Sequence, residues 1–230
     1  VPVITKVMHR IKYRKGDTKR RMAPLGLADL TACLAKMRDR RFEDIQLMRD
    51  RAILSLGFFS AMRRGEIVAL KVEDLEFGKE GLVITIRRSK TDQFAEGQQI
   101  GIRPQKDPNV CAVALTRKYL DVSELKAGPL FRRIDSRSDA IGDRPLTPQV
   151  VAMIVKAACE RAGLDPDRFA GHSLRAGFVT TAAARGVTLH NIMRQTRHKS
   201  ERVAMTYIRP ATVFRDNPTD GLGDEPEGKK

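Results

Sequence analysis

The chain is poor in aromatic residues and in cysteine. It has no tryptophan and three tyrosines in 230 residues, so it lacks the stacking surfaces on which proteins usually bind single-stranded RNA. Its cysteines, Cys33, Cys111 and Cys159, are far apart and form no Cys-x-x-Cys or Cys/His cluster. This spacing argues against a disulfide framework and against a metal site, so we expect reduced, buried thiols and no bound metal.

Long apolar runs and acidic residues are also scarce. The longest apolar run, near residues 52–62, is too short to span a bilayer, and no signal-peptide pattern opens the chain. Lys and Arg number 43 against 28 Asp and Glu, which leaves a net charge of +15. Such an excess favours a polyanionic partner. We therefore expect a cytoplasmic protein with nucleic acid rather than a membrane as its partner.

Charge is unevenly distributed along the chain. Residues 1–24 are rich in Lys and Arg and have apolar residues at helical spacing, which predicts the end of a helix followed by a flexible basic linker. Residues 210–230 contain several acids together with Gly and Pro, which predicts a disordered tail unless it docks on a neighbouring subunit. The first residue is Val rather than Met, so we expect a fragment of a longer protein.

Between these ends, apolar residues mostly recur every three or four positions, which predicts helices. We expect helices over 27–40, 42–61, 110–120, 147–162 and 173–185, and two more that begin at Thr188 and Ser200. Residues 81–87 and 98–103 are typical of an antiparallel strand pair joined by a polar loop. The predicted fold is mainly α with a small antiparallel β-sheet (α+β), of a size that suits one domain with arms.

The C-terminal third combines a phenol, two imidazoles and a guanidinium. His172 and Arg175 occur in Gly-His-Ser-Leu-Arg, and His198 is followed closely by Tyr207. Attack by a tyrosine on a phosphodiester requires a base, because the phenol pKa is ordinarily ~10. It also requires cations on the non-bridging oxygens, where the planar fork of Arg serves better than Lys. These residue types suit such a reaction.

Two further segments supply the remaining groups. Arg63 lies at a predicted helix junction, and Glu66 follows three residues later, where it can orient the guanidinium. Lys90 lies in the loop after the first predicted strand, where a flexible amine can protonate a leaving oxygen. Each residue alone also has an ordinary structural interpretation, as a salt-bridge partner, a helix cap, a core tyrosine or a solvated lysine.

Taken in order, these residues resemble the catalytic domain of the tyrosine recombinase (phage integrase) family, and the Cre-like members in particular. The family pattern is Arg, a hairpin Lys, His-x-x-Arg, His or Trp, and Tyr. Its positions are filled here by Arg63, Lys90, His172, Arg175, His198 and Tyr207. The resemblance covers roughly residues 5–209 and is free of gaps over 171–209.

The resemblance implies cleavage and rejoining of duplex DNA through a 3′-phosphotyrosyl intermediate, with neither ATP nor a metal. It implies that Tyr207 is the nucleophile, that Lys90 protonates the 5′-oxygen, that His172 is the general base and that His198 donates to the phosphate. Arg63 and Arg175 clamp the non-bridging oxygens, with Glu66 in support.

The resemblance also implies an assembly and a domain division. The family works as a tetramer on DNA, so we expect a monomer or weak oligomer in its absence, and accessory DNA-bending proteins are possible. Residues 1–24 correspond to the end of a core-binding domain and the linker, 25–209 to the catalytic domain, and 210–230 to the tail.

Basic residues near the site and in the linker are candidates for contacts with the DNA backbone, which position a duplex without reading its sequence. The candidates are Arg14, Lys15, Lys19, Arg20 and Arg21 in the linker, and Arg87, Arg88, Lys199 and Arg202 beside the site.

The chain departs from the family pattern at two positions that are usually glycine. They are occupied by Ala61 and Arg197. Arg197 directly precedes His198, so its side chain is expected to affect how that imidazole is presented. Only residues 211–215 are available for the C-terminal docking helix that the family commonly has.

Two other functions remain open at the level of sequence. One keeps the fold without strand exchange, as in a nicking-closing enzyme like a type IB topoisomerase or a non-catalytic DNA-binding regulator. The other is a basic RNA- or ribosome-associated protein, which the lack of stacking aromatics disfavours.

Overall fold

A computed structural model describes residues 22–37, 44–87, 97–135, 137–198, 200–213 and 219. Several predictions lie outside the described residues. They concern the segment 1–21, the loop 88–96, most of the tail, and the side chains of Arg14, Lys15, Lys19, Arg20, Arg21, Arg88, Lys90 and Lys199.

Helices make up most of the described chain, as the periodicity predicts. They are α1 Leu27–Lys36, α2 Ile45–Phe59, α3 Arg64–Ala69, α4 Ala112–Ser123, α5 Pro148–Arg161, α6 Ser173–Ala184, α7 Leu189–Thr196 and α8 Glu201–Ala211, with short 3₁₀ turns at Val72–Asp74 and Pro166–Arg168. The seven predicted helices are confirmed with shifted ends, and α3 is an addition that its length of 6 residues hid from a periodicity argument.

Local capping explains where several helices begin. The side chain of Asp44 accepts a hydrogen bond from Leu47 N at 2.9 Å and starts α2. Thr188 accepts from Asn191 N at 3.4 Å and starts α7. Thr147 is the N-cap residue of α5 and is followed by Pro148 in the first turn. Side-chain acceptors and a proline at these positions satisfy or remove backbone donors that a helix leaves unpaired.

Two sheets are present where the sequence predicted one. β1 Leu75–Gly78, β2 Gly81–Ile86 and β3 Gln98–Ile102 form an antiparallel sheet in that order. The pairing of β2 with β3 is confirmed, with Ile84 opposite Ile100. β4 Arg132–Ile134 and β5 Ile141–Pro145 form a separate hairpin. The predicted fold class, mainly α with a small antiparallel sheet, is confirmed. The sequence did not predict β1 or the separate hairpin, because β1 is four residues long and β5 is exposed along most of its length.

The apolar residues form one large core and a smaller C-terminal cluster. The large core contains residues of helices α1 through α6 and of the first sheet. The C-terminal cluster is built from α6, α7 and α8 and consists of Val179, Ala182, Ala183, Ile192, Ala204 and Ile208. Phe178 packs against both groups, so α6 connects them.

The segment before α1 is held against α6 by its backbone. Leu25 N donates to Ser173 O at 2.9 Å, and Ala23 N donates to Arg168 O at 2.7 Å. Gly177 of α6 faces Leu25 so closely that an added Cβ would lie 1.7 Å from the Leu25 carbonyl oxygen. The first turn of α6, which carries Arg175, is thereby fixed against the rest of the domain.

Candidate active site

Tyr207 is anchored on α8 at the edge of the C-terminal cluster. Its side chain is half-buried and packs against that cluster. It also lines an open cavity of about 490 Å³, together with His172, Ala176 and Arg202. The packing holds the ring while the cavity gives solvent and ligands access to it.

Arg175 is a buried guanidinium in the first turn of α6. It is 3% exposed, and its Nη1 donates to the carbonyl oxygen of Ala61 at 2.6 Å. Its Nη2 has no hydrogen-bond partner among the described residues. Burial and the charges of Arg63 and Arg197 lower the pKa of Arg175 to about 9. A buried cation with a free donor has strong affinity for an anion.

Ala61 positions that carbonyl by an unusual backbone conformation. It lies between α2 and α3 with φ 50°, in the left-handed region that glycine adopts most easily. Glycine, which is usual in the family at this position, adopts a left-handed conformation without strain. Ala61 adopts the left-handed conformation here although it has a side chain.

Arg63 and Glu66 form the pair that the sequence predicted. Arg63 Nη1 lies 2.8 Å from Glu66 Oε1, and Arg63 N donates to Glu66 Oε2 at 2.8 Å. Arg63 precedes the first residue of α3, and Glu66 lies in its first turn. A single carboxylate thus fixes both the backbone and the guanidinium of Arg63, whose side chain remains 24% exposed.

Arg197 joins the same carboxylate from the opposite direction. Its Nη2 lies 2.7 Å from Glu66 Oε2, and the residue is 9% exposed. Burial raises the pKa of Glu66, but the adjoining charges of Arg197 and Arg63 outweigh that effect and lower it. Sequence reasoning flagged Arg197 as a departure but did not foresee this contact. The one signal available was a basic residue at a position that is usually glycine.

His198 is tied to α7 through a threonine. The Thr196 hydroxyl lies 2.8 Å from Ile192 O and 2.9 Å from His198 Nδ1. A carbonyl oxygen can only accept, so the hydroxyl proton is used on Ile192 and His198 donates from Nδ1. In the neutral ring, Nε2 is then an acceptor. Thr196 is a second functional residue that sequence reasoning missed.

Both histidines lie in a field of positive charge that keeps them neutral. Burial and the charges of Arg175 and Arg63 lower the pKa of His198 to about 4. Partial burial of His172 and the charges of Arg175 and Arg63 lower the pKa of that imidazole as well. An unprotonated imidazole near neutral pH can take a proton from another group.

The candidate DNA contacts that the structure describes differ from each other. Arg87 directly follows β2 and forms a salt bridge with Asp74. Arg202 is exposed and lines the cavity beside Tyr207.

Gln195 Nε2 contacts Phe59 O at 3.0 Å and Gly101 O at 3.3 Å, and so connects α7 to α2 and β3.

The described part of the chain has neither a metal site nor a membrane span. No three His, Cys, Asp or Glu side chains of those residues come together as a metal ion would require. No helix there is long and apolar enough to cross a membrane. Cys33, Cys111 and Cys159 are free and buried, as predicted.

Two arginines, two neutral imidazoles and a phenol thus converge on one positively charged site. Arginines in such a place can bind an anion, unprotonated imidazoles can accept protons, and a phenol can act as a nucleophile once it is deprotonated. Such a site defines a class of phosphoryl-transfer proteins in which a tyrosine attacks a phosphodiester.

Comparison with known proteins identifies the family of this chain. A profile described as "Phage integrase family" matches residues 30–212. The "Integrase/recombinase xerD homolog" of Selenomonas ruminantium is 40% identical over 215 residues, which cover 94% of this chain and 62% of that protein. The chain belongs to the phage integrase family.

Solved structures share the fold at low identity. The XerH site-specific recombinase in its post-cleavage complex with palindromic difH substrate has a TM-score of 0.62 and 18% identity, over 87% of this chain and 52% of that one. A lambda integrase dimer bound to a COC′ core site has a TM-score of 0.57 and 17% identity, over 93% and 52%. The chain spans about half to two thirds of the length of these relatives.

Proposed function

We propose that the protein is a site-specific DNA recombinase that cleaves and rejoins duplex DNA through Tyr207. The observation that carries the proposal is the convergence of Arg63, Arg175, His172, His198 and Tyr207 on one basic site. It is supported by the names of relatives, which include integrases and XerC and XerD tyrosine recombinases, and by structural relatives solved with DNA.

In the proposed first step the Tyr207 oxygen attacks the scissile phosphorus. A bond forms between the phenolic oxygen and phosphorus, and the bond from phosphorus to the 5′-oxygen breaks. The phenolic proton passes to His172, and the leaving 5′-oxygen takes a proton from Lys90. The product is a 3′-phosphotyrosyl linkage and a free 5′-hydroxyl. A 5′-hydroxyl of the partner duplex then attacks the phosphotyrosyl phosphorus, which forms the exchanged phosphodiester and releases Tyr207 without ATP or a metal.

The two arginines act on the charge that develops during this step. Arg175 offers its free Nη2 to a non-bridging oxygen, because its Nη1 is already used by Ala61. Arg63 offers the donors that Glu66 does not occupy. Donors fixed before the reaction stabilise the transition state without reorganising.

The histidines divide the proton chemistry. His172 shares a cavity with Tyr207, which suits a general base. His198 keeps its Nδ1 on Thr196. When a phosphate binds, its negative charge raises the pKa of His198, and the protonated ring then donates from Nε2 to the phosphate.

We propose duplex DNA as the partner and a tetramer as the active assembly, with a monomer or weak oligomer in the absence of DNA. Accessory DNA-bending proteins fit the same scheme. Arg202 and the basic residues outside the described part of the chain are proposed to contact the DNA backbone. We further propose that the protein acts at the nucleoid in the cytoplasm of a prokaryote or as a phage-type protein there, as its bacterial relatives suggest.

A covalent-adduct experiment tests the proposal. Incubation with duplex fragments from the native genomic flanks of the gene, followed by SDS and sequencing of protein-linked ends, is expected to map a site. Tyr207→Phe should abolish the adduct and leave duplex binding nearly unchanged, because the hydroxyl adds little contact area. An SDS-stable adduct from Tyr207→Phe would falsify the assignment of the nucleophile.

Strand exchange separates this proposal from its alternatives. A recombinase joins the strands of two mapped duplexes, whereas a nicking-closing enzyme only relaxes supercoiled plasmid. Relaxation with no exchange in the presence of both partner duplexes would identify a type IB topoisomerase-like activity. Duplex binding without any adduct would identify a regulator, and preference for RNA over duplex DNA in competition would identify an RNA-associated protein.

A further inference from the structure

Arg197 is a buried arginine whose backbone conformation is unfavourable for a residue other than glycine. It ends α7 with φ 58° and ψ 40°, in the left-handed region that glycine adopts most easily. Its Nε and Nη1 are buried and have no hydrogen-bond partner among the described residues. Left-handed backbone at a non-glycine residue and unpaired buried donors both destabilise a fold. A residue kept under such conditions is a candidate for a role in the site.

The contact that Arg197 makes is with the acid that holds Arg63. Glu66 Oε1 accepts from Arg63 Nη1 at 2.8 Å, and Glu66 Oε2 accepts from Arg63 N and from Arg197 Nη2 at 2.8 and 2.7 Å. The side chains of Arg197 and Glu66 are each 6% exposed. The three groups thus form an arginine–glutamate–arginine triad with little screening by water.

Charge in this triad decides how well Arg63 attracts a phosphate. Glu66 fixes Arg63 in place. At distances greater than the separation of the two groups, however, the negative charge of Glu66 cancels the positive charge of the Arg63 guanidinium. A second arginine on the same carboxylate restores a net charge of one positive unit. With glycine at position 197 the pair would orient Arg63 and be electrically neutral.

We infer that Arg197 is a positioning residue of the phosphate site, which offsets the charge of Glu66 so that Glu66 orients Arg63 without neutralising it. The inference rests on the proposed function, because it concerns the phosphate that Arg63 and Arg175 bind. The charge of Arg197 also acts on two other groups of the site, because it contributes to the lowered pKa of Arg175 and of His198.

The test compares two versions of the mapped DNA site. One nicked suicide duplex carries an ordinary scissile phosphodiester, and the other carries a methylphosphonate there, which removes one negative charge from the reacting group. On the phosphodiester, Arg197→Gly is expected to slow Tyr207-dependent adduct formation by roughly 10- to 100-fold, somewhat less than the loss of a donor that touches a developing oxyanion. On the methylphosphonate the defect should shrink to less than about 3-fold, because the reacting group carries one negative charge fewer in the transition state.

Glycine suits the backbone at position 197, and Glu66 keeps Arg63 as a partner, so the variant is expected to fold. Arg197→Lys keeps the charge and should recover part of the cleavage rate. Arg194→Gln is the matched control, since Arg194 is an exposed residue of the same helix and its loss makes the same change in net charge. It should cleave both substrates at nearly the wild-type rate.

Equal slowing of Arg197→Gly on both substrates, or no slowing on either, overturns the inference and leaves the proposed function standing, provided that the wild type forms its adduct. If the wild type forms no Tyr207-dependent adduct on any duplex, the proposed function fails and the inference fails with it.

Discussion

Single side chains in this protein have roles that depend on one proton or one charge. In the proposed mechanism Tyr207 loses a proton and Lys90 donates one, and the surroundings of His198 keep its imidazole neutral. Each of these states can be probed by one substitution combined with one change in the substrate or the pH.

The proposed role of Lys90 can be separated from simple phosphate binding. If Lys90 is the general acid, Lys90→Ala should slow cleavage of an ordinary substrate by the ~10²–10⁴-fold typical of acid-base catalysis. A bridging 5′-phosphorothiolate has a sulfur leaving group that needs no proton, so it should restore most of the rate. The measurement is single-turnover adduct formation on both substrates.

Arg175→Ala is the control for this experiment. Its defect should persist on the phosphorothiolate, because Arg175 is proposed to stabilise charge on the non-bridging oxygens. Equal defects of Lys90→Ala on the two substrates would make Lys90 a positioning residue and leave the acid role to another group.

The environment of His198 predicts a pH dependence of stability. Burial and the neighbouring arginines lower its pKa to about 4 in the folded state, whereas an unfolded histidine titrates near 6.5. The unfolded state binds more protons between these values, so stability falls as the pH drops from about 6.5 to 4. After allowance for solvent screening of a half-buried ring, the loss is roughly 1–2 kcal/mol.

Urea unfolding of the wild type and His198→Gln at several pH values between 4 and 7 measures this contribution. The variant should have a shallower loss of stability over the window. His190→Gln, which changes an exposed histidine of α7, should follow the wild-type curve. Parallel curves for the wild type and His198→Gln would refute the prediction.

At the scale of elements, α6 is the centre of the site. It carries Arg175, follows His172, and contributes to both the large core and the C-terminal cluster. The backbone of Leu25 lies against it at Gly177. A shift of this one helix would therefore move Arg175 relative to Tyr207 on α8.

Gly177→Ala is expected to destabilise the protein by at least the ~1–3 kcal/mol typical of overpacking. The added methyl carbon would lie 1.7 Å from the Leu25 carbonyl oxygen, so backbone has to move. Gly65→Ala in α3 is the matched control, because no atom lies within 4 Å of the added carbon. It should be stabilising by about 0.5–1 kcal/mol, since alanine favours helices. Urea midpoints compare the two, and equal midpoints would show that α6 tolerates the shift.

At the scale of the whole molecule, a net charge of +15 provides the attraction to a polyanion. Much of that charge is outside the site. The linker residues Arg14, Lys15, Lys19, Arg20 and Arg21 form its densest group.

Neutralising these five linker residues should reduce the salt dependence of duplex affinity. Each phosphate contact that is lost lowers the slope of log K against log salt by about 0.9, because fewer counterions are released. Fluorescence anisotropy at several salt concentrations gives the slope. The control for net charge neutralises five exposed basic residues elsewhere, namely Lys79, Lys106, Lys126, Arg133 and Arg137. An unchanged slope in the linker variant would show that the linker does not contact the backbone.

The sequence by itself determined the helices, the β2–β3 pair and the set of candidate site residues. Helices and caps depend on residues within a few positions of each other, and seven helices were predicted from spacing alone. The pairing of Arg63 with Glu66 is likewise a contact over three positions. The sequence did not predict α3 or β1, because both are too short to have a clear periodicity of apolar residues.

Only the tertiary structure decided how the site residues are held. Glu66 and Arg197 are 131 positions apart, and Arg175 and Ala61 are 114 apart. No local pattern links such positions, because the contact exists only after α6 and α7 pack beside the junction of α2 and α3. The tautomer of His198 also depends on that packing, which buries Thr196 and leaves its hydroxyl between a carbonyl oxygen and the imidazole. Sequence chemistry selected the candidate groups, and long-range packing determined the charges around them and the position of the His198 proton.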